Sequence, residues 1–197
     1  MQEPYQILLG LITGLGLAAA CGFRVFVPLL VASLAIRGGV IEVASGFEWI
    51  GSLPATICFG SATLLEIGGY YLPGLDHFLD TVATPAAVVA GTLVTAAFLG
   101  EVDPWWRWSL AAIAGGSLAG VVQASTVAVR GASGLTTMGL ANPVVATAEL
   151  AGASTTAILT FVAPLLVIAL LVAGIYAAVR YYRRRAARAD AHVVVLS

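Results

Sequence analysis

The stretch from Gly14 to Ile36, GLGLAAACGFRVFVPLLVASLAI, carries one charged side chain, Arg24, and runs back to Tyr5 without another. About 20 apolar residues of helix cross a bilayer core. Tyr5 to Phe23 therefore reads as a membrane span, and Val25 to Ile36 as its apolar continuation. Gly22 before Arg24 and Pro28 after it point to a broken helix. Irregular backbone is tolerated at membrane depth where protein buries it or a wet cavity solvates it. An arginine in such company is costly unless it is paired or hydrated.

The remainder of the 197 residues has the same character. The chain is 60% hydrophobic and 10% charged, whereas soluble domains run at about 45–50% and about 25%. Five further segments are long and apolar: Ser52 to Leu72, Val82 to Leu99, Trp106 to Val129, Met138 to Ala153, and Thr156 to Tyr182. Trp49, Trp105, Trp106, Trp108, Tyr70, Tyr71, Tyr181 and Tyr182 fall at segment ends, as an aromatic belt requires. Pro73-Gly74 and Asp103-Pro104 mark turns. The expected fold is an all-α membrane protein of about six transmembrane or re-entrant helices.

Arg180, Arg183, Arg184, Arg185 and Arg188 are five of the nine basic residues and follow the last apolar run. By the positive-inside rule they place the tail in the cytoplasm. Six crossings then put the N-terminus on the same side, and five put it outside. A net charge of −1 argues against nucleic acid as a partner. Cys21 and Cys58 lie within apolar runs and show neither disulfide nor metal spacing. Glu3, with no positive charge near the N-terminus, argues against a cleaved lipoprotein signal.

The chain also hints at a duplication. Gly10, Gly14 and Arg24 match Gly116, Gly120 and Arg130 at one constant offset. Glu66 in Thr63–Gly69 matches Glu149 in Ala146–Gly152, and Val82–Pro85 matches Val162–Pro164. A rival pairing sets Pro28-Leu29-Leu30 against Pro143-Val144-Val145. The first set divides the chain into repeats of three helices, 1–100 and 101–183, followed by the Arg-rich tail 184–197. An odd number of crossings per repeat makes the repeats inverted, as in many transporters. The Gly-xxx-Gly pairs read as close helix packing, within the chain or in a homodimer.

The candidate substrate- or ion-binding residues are Arg24, Glu66, Glu149, Asn142 and Arg130. Glu66 and Glu149 each stand in an otherwise uncharged segment, where a carboxylate faces the bundle interior or a water path. They bind a proton or cation, or else form structural pairs, Glu66 with Arg130 and Glu149 with Arg24. Arg24 is an anion or counter-ion site or a snorkelling helix end, and Arg130 is an interfacial end residue or a member of the same site. Asn142-Pro143 opens either a half-helix that aims amide dipoles at an anion or an ordinary capped helix. Asp76, His77 and Asp80 form an acidic cluster on the cytoplasmic side. As metal ligands they are an incomplete set, and helix capping by Asp76 is the alternative. No nucleophile–base pair or phosphate loop is present, so no cofactor and no enzyme activity are expected.

Four motifs carry a resemblance: ACGFRVFVPLL at 20–30; Leu65-Glu66-Ile67 with Leu72-Pro73-Gly74-Leu75-Asp76; Asp80-Thr81-Val82-Ala83-Thr84-Pro85; and Gly139-Leu140-Ala141-Asn142-Pro143-Val144-Val145. From about Leu9 to Val179 the chain resembles the bacterial membrane family called domain of unknown function 4126. The resemblance implies the architecture and assigns no reaction. The functional expectation is a small transporter or channel of the bacterial inner (plasma) membrane, proton- or cation-coupled, moving a small ion, an anionic small molecule or a lipid. A non-catalytic scaffold is the alternative, and an intramembrane lipid-modifying enzyme a third.

Overall fold

The computed structural model describes residues 4–72, 75–100 and 102–195, and among these all regular structure is helical. The helices are α1 (Pro4–Phe23), α2 (Phe26–Arg37), α3 (Leu53–Tyr70), α4 (Leu75–Phe98), α5 (Pro104–Leu110), α6 (Ser117–Thr137), α7 (Asn142–Val162) and α8 (Pro164–Val195). A π-helical turn, Ala111–Gly116, joins α5 to α6 in one continuous rod, Pro104–Thr137.

Local chemistry sets the boundaries. Ser52 caps α3 by accepting from the Ala55 N–H, and Asp103 caps α5 by accepting from the Trp105 N–H. Each helix has Pro in its first turn, where a missing N–H costs nothing. α6 stops at Met138 and Gly139, both with positive φ. α7 stops at Ala163, which the following Pro164 pushes out of helical geometry (φ −147°, ψ 67°).

Side-by-side contacts fix the helix directions. α1 is antiparallel to α4: Gly10 lies on Phe98, Gly14 on Thr95, and Ala18 on Gly91. α2 is antiparallel to α3, with Leu30 beside Gly60, the Ser33 and Thr56 hydroxyls 2.7 Å apart, and Ile36 against Gly51. α7 is antiparallel to α1, with Gly152 at Phe23 and Thr160 at Gly16. The α5–α6 rod is antiparallel to α4 through Gly115, Gly116 and Gly120. One end of the bundle therefore holds the tryptophans and the starts of α1 and α5. The other, the arginine end, holds the α3–α4 and α6–α7 turns and the exit of α8.

Three expectations are corrected by these directions. First, Val25–Ile36 does not continue the first span. The chain reverses at Arg24-Val25, and α2 returns toward the tryptophan end. There the loop after it is tied by Ala44 N–H to the Ala97 carbonyl (2.9 Å) and by Arg107 to the Ser45 carbonyl (3.4 Å). Among the described residues the chain thus makes seven helical passes rather than six, and the start of α1 and the exit of α8 lie at opposite ends. Second, α1 and α6, the helices matched at constant offset, run in the same direction, so an in-plane twofold does not relate them. α1–α2 and α6–α7 are both hairpins that turn at the arginine end, with Pro28 and Pro143 in the first turn of each return helix. Third, the glycines of both Gly-xxx-Gly pairs pack against α4 of the same chain. Those faces are covered within the protomer, which removes them as homodimer surfaces.

A further boundary moved. Ser154-Thr155-Thr156 does not end a segment. Helical hydroxyls here bond back to the preceding turn, as Thr160 does to the Thr156 carbonyl (2.7 Å), and so cost the helix little. Among the described residues four helices are long and apolar enough to cross a membrane: Tyr5–Phe23, Phe78–Phe98, Pro104–Thr137 and Asn142–Val162; α2 and Pro164–Gly174 are apolar but shorter.

The core is built from small side chains. Ala18, Ala19, Ala20, Ala87, Ala96, Ala97, Ala111 and Ala119 are buried between α1, α4 and the α5–α6 rod. Without bulky side chains the helix axes approach closely, which is how apolar helices gain packing energy in lipid. The arrangement leaves five charged side chains buried at the arginine end.

Candidate functional site

Arg24 occupies the break itself. The residue is 2% exposed. Nη2 donates to the Ala146 carbonyl at 3.0 Å and lies 3.2 Å from Glu149 Oε2, both on α7. Arg130, two-thirds of the way along α6 and equally buried, pairs with Asp80 of α4 through Nη1 and with Glu149 Oε2 through Nη2. Both guanidinium groups lie on the ring of Tyr70, at 3.8 and 4.2 Å from its centroid. The Tyr70 hydroxyl donates to Asp80 Oδ1 at 3.1 Å. A cation over an aromatic face contributes about 0.5–2 kcal/mol, most when desolvated.

Glu66 takes a different partner. Its two oxygens accept from the backbone N–H groups of Val25 (2.8 Å) and Phe26 (3.1 Å). These are the free amides at the start of α2, where the helix dipole favours a negative charge. Glu66 thus holds the reversal together. The helical spacing of Thr63, Glu66 and Tyr70 puts all three on the buried face of α3. On α7 the buried face carries Asn142, Ala146 and Glu149.

The network holds two guanidinium groups and three carboxylates. Glu66 is compensated by the α2 amides, so Arg24 and Arg130 balance Glu149 and Asp80. The hydrogen bonding is nevertheless incomplete. Arg24 Nε and Nη1, Arg130 Nε and Glu149 Oε1 are buried without a partner among the described residues. Native interiors leave few such groups, and each calls for water, an ion or a ligand.

Glu149 also reaches a second environment. A groove of about 770 Å³ runs between α6, α7 and α8. Val121, Val122, Val145, Leu170 and Leu171 make its walls, and Phe23 and Glu149 stand among them. Among the described lining residues Glu149 alone is ionisable, and its Oε2 meets both Arg24 and Arg130. Past Val179, α8 continues into exposed Arg180, Arg183 and Arg184.

The structure brings Arg24, Arg130 and Glu149 into direct contact and adds Asp80 to them. Glu66 sits at the edge of this group, on the α2 amides. Asn142 is buried two turns before Glu149 and occupies the first helical position of α7; the N-cap is Ala141, whose N–H is bound by the Thr137 hydroxyl (3.1 Å). Asp80 departs from the expected cluster with Asp76 and His77, since an arginine and a tyrosine hold its carboxylate. The side chains of Asp76 and His77 lie outside the described residues. Among the described residues no group of three His, Cys, Asp or Glu is placed to hold a metal. Tyr70, at a segment end where an interfacial ring is expected, is instead 5% exposed inside the site. Its position one turn after Glu66 on the same helix was the available signal.

The fold and the site define an all-helical protein, with apolar helices long enough to span a membrane and a compensated cluster of buried charges at one end. The chain belongs to the family described as domain of unknown function (DUF4126), whose model matches residues 11–184. No curated protein and no solved structure matches it.

Proposed function

We propose that the protein is a small proton-linked transporter of an anion, resident in the bacterial inner membrane with its arginine-rich tail in the cytoplasm. The observation that carries this reading is the set of unpartnered atoms in the network: three guanidinium nitrogens and one carboxylate oxygen, all buried. A purely structural ion cluster gains from closing every bond, because unmet polar groups are expensive in a low dielectric. Forked guanidinium donors fit a carboxylate or phosphate.

In this reading Glu149 is an internal anion that occupies both arginines in the resting state. When it takes up a proton, the cluster gains one positive charge. Burying that charge is unfavourable without a counter-ion, so an external anion enters with the proton. Asp80 and Tyr70 hold Arg130 in place, Glu66 fixes the α1–α2 reversal, and Asn142 offers an amide on the same α7 face.

Flux into proteoliposomes, measured for a panel of small anions and anionic lipids under an inward proton gradient, tests the proposal. Uptake above that of protein-free liposomes is expected. Glu149→Gln should retain binding but lose the dependence on the gradient, and Arg24→Gln should reduce uptake to background. Equal, background-level flux for wild type and both variants across the panel rejects it. A non-catalytic scaffold is the second reading. It draws on the way the ion pairs tie the α1–α2 break to α4, α6 and α7, and it expects no flux at all.

A further inference from the structure

We infer that the anion is amphipathic, a carboxylate or phosphate on a single hydrocarbon tail, and that it enters sideways from the lipid through the groove between α6, α7 and α8. The inference rests on the transport reading above and goes further by naming the substrate class. Three observations converge on it. The groove walls are mostly aliphatic, with Val121, Val145, Leu170 and Leu171 facing a space of about 770 Å³; the Ser125 and Thr126 hydroxyls in the lining donate to carbonyls of their own helix, so the space suits a hydrocarbon chain better than a small hydrophilic anion. Its inner wall includes Glu149, directly behind which lie Arg24 and Arg130 with unpartnered nitrogens. At the arginine end, α8 leaves the groove at Val179 and carries exposed Arg180, Arg183 and Arg184. Basic residues at a membrane surface attract anionic lipid headgroups.

The parts supply a sequence of events. The exposed arginines of α8 gather an anionic amphiphile at the leaflet surface. Its tail slides between α6 and α8, and its headgroup meets Glu149. The headgroup and the Glu149 carboxylate compete for the same guanidinium donors, and protonation of Glu149 decides the contest for the headgroup. Phosphate and carboxylate heads share this chemistry, so the tail and the charge define the class.

The test uses the full chain in phosphatidylcholine nanodiscs and equilibrium binding of four probes: radiolabelled myristate, a single-chain lysophosphatidic acid, inorganic phosphate, and uncharged monomyristoylglycerol. Wild type should bind one or both charged amphiphiles. Inorganic phosphate, which lacks the tail, and the glyceride, which lacks the charge, should bind at least about tenfold more weakly; tenfold corresponds to the burial of only about two methylenes. An added Cβ at Gly174 meets nothing within 4 Å, so Gly174→Trp fills the groove without disturbing the fold and should weaken amphiphile binding by about tenfold or more. Glu149→Gln should raise affinity at neutral pH and flatten its pH dependence, a gain that misfolding cannot mimic.

Inorganic phosphate binding as tightly as the amphiphiles, with Gly174→Trp inert, overturns the amphiphile proposal and leaves anion transport standing. No anion binding to wild type or Glu149→Gln overturns both. Molecular mass in the same nanodiscs covers the other occupant of such a groove. A dimer that Gly174→Trp converts to monomer, with no amphiphile bound, assigns the groove to a second copy and overturns the proposal.

Discussion

At the scale of single residues, Tyr70 is the side chain whose role is least expected from its type. Two arginines rest on its ring while its hydroxyl holds Asp80. The contributions separate by substitution. Tyr70→Phe keeps the ring and removes the hydrogen bond, and should cost about 1 kcal/mol of stability. Tyr70→Leu removes both and should cost about 2–3 kcal/mol. Thermal denaturation in mild detergent distinguishes them, and equal losses would mean that the ring contributes nothing. Removing one side of an ion pair is more severe. Arg130→Ala leaves Asp80 and Glu149 buried with one neutralising partner fewer, a change of about 3–5 kcal/mol. Arg130→Ala combined with Glu149→Gln should recover part of that loss.

At the scale of elements, the α1–α2 reversal is the feature on which the site depends, because it delivers Arg24 to the interior and presents two backbone amides to Glu66. Glu66→Gln keeps the shape and weakens the charge-assisted cap. It should cost about 1–2 kcal/mol and should raise hydrogen exchange at Val25 and Phe26 more than elsewhere in α2. Uniform exchange across α2 would contradict the capping role. The α4–rod contact depends on glycine. Gly115 sits against Gly91 and Thr95, where a side chain has no room. Gly115→Val should lower the yield of folded protein sharply, whereas the same change at Gly131, which faces open space, should cost no more than helix propensity dictates.

At the scale of the whole molecule, seven passes among the described residues place the start of α1 and the exit of α8 at opposite ends of the bundle. Single cysteines in a Cys58→Ser background report this directly, since Cys21 is buried and inert to labelling. Tyr5→Cys, at the tryptophan end and 59% exposed, should react with a membrane-impermeant maleimide added to intact cells, whereas six crossings would put it on the Met138 side. Met138→Cys, at the arginine end and 95% exposed, should react only after permeabilisation. Labelling of both from the same side would contradict the pass count. Excess arginine at the Met138 end is the physical basis for the expected orientation.

Hydropathy alone specified the helical class, most segment boundaries, and the fact that Arg24, Glu66, Arg130 and Glu149 needed an explanation, because a charge in a lipid-soluble run is conspicuous before any fold is known. Proline marked the start of α8 as well, although the serine and threonine run before it disguised the boundary; hydroxyls that bond within their own helix look like loop residues in a linear reading. What the sequence left open was which charges meet. Glu66 found backbone amides instead of an arginine, Asp80 turned away from its sequence neighbours to bind Arg130, and the first apolar stretch folded back on itself. Each of these outcomes depends on the direction in which helices run and on which faces their neighbours cover. Side-chain pairing across a bundle is a property of three-dimensional registry, and no local pattern in the chain encodes it.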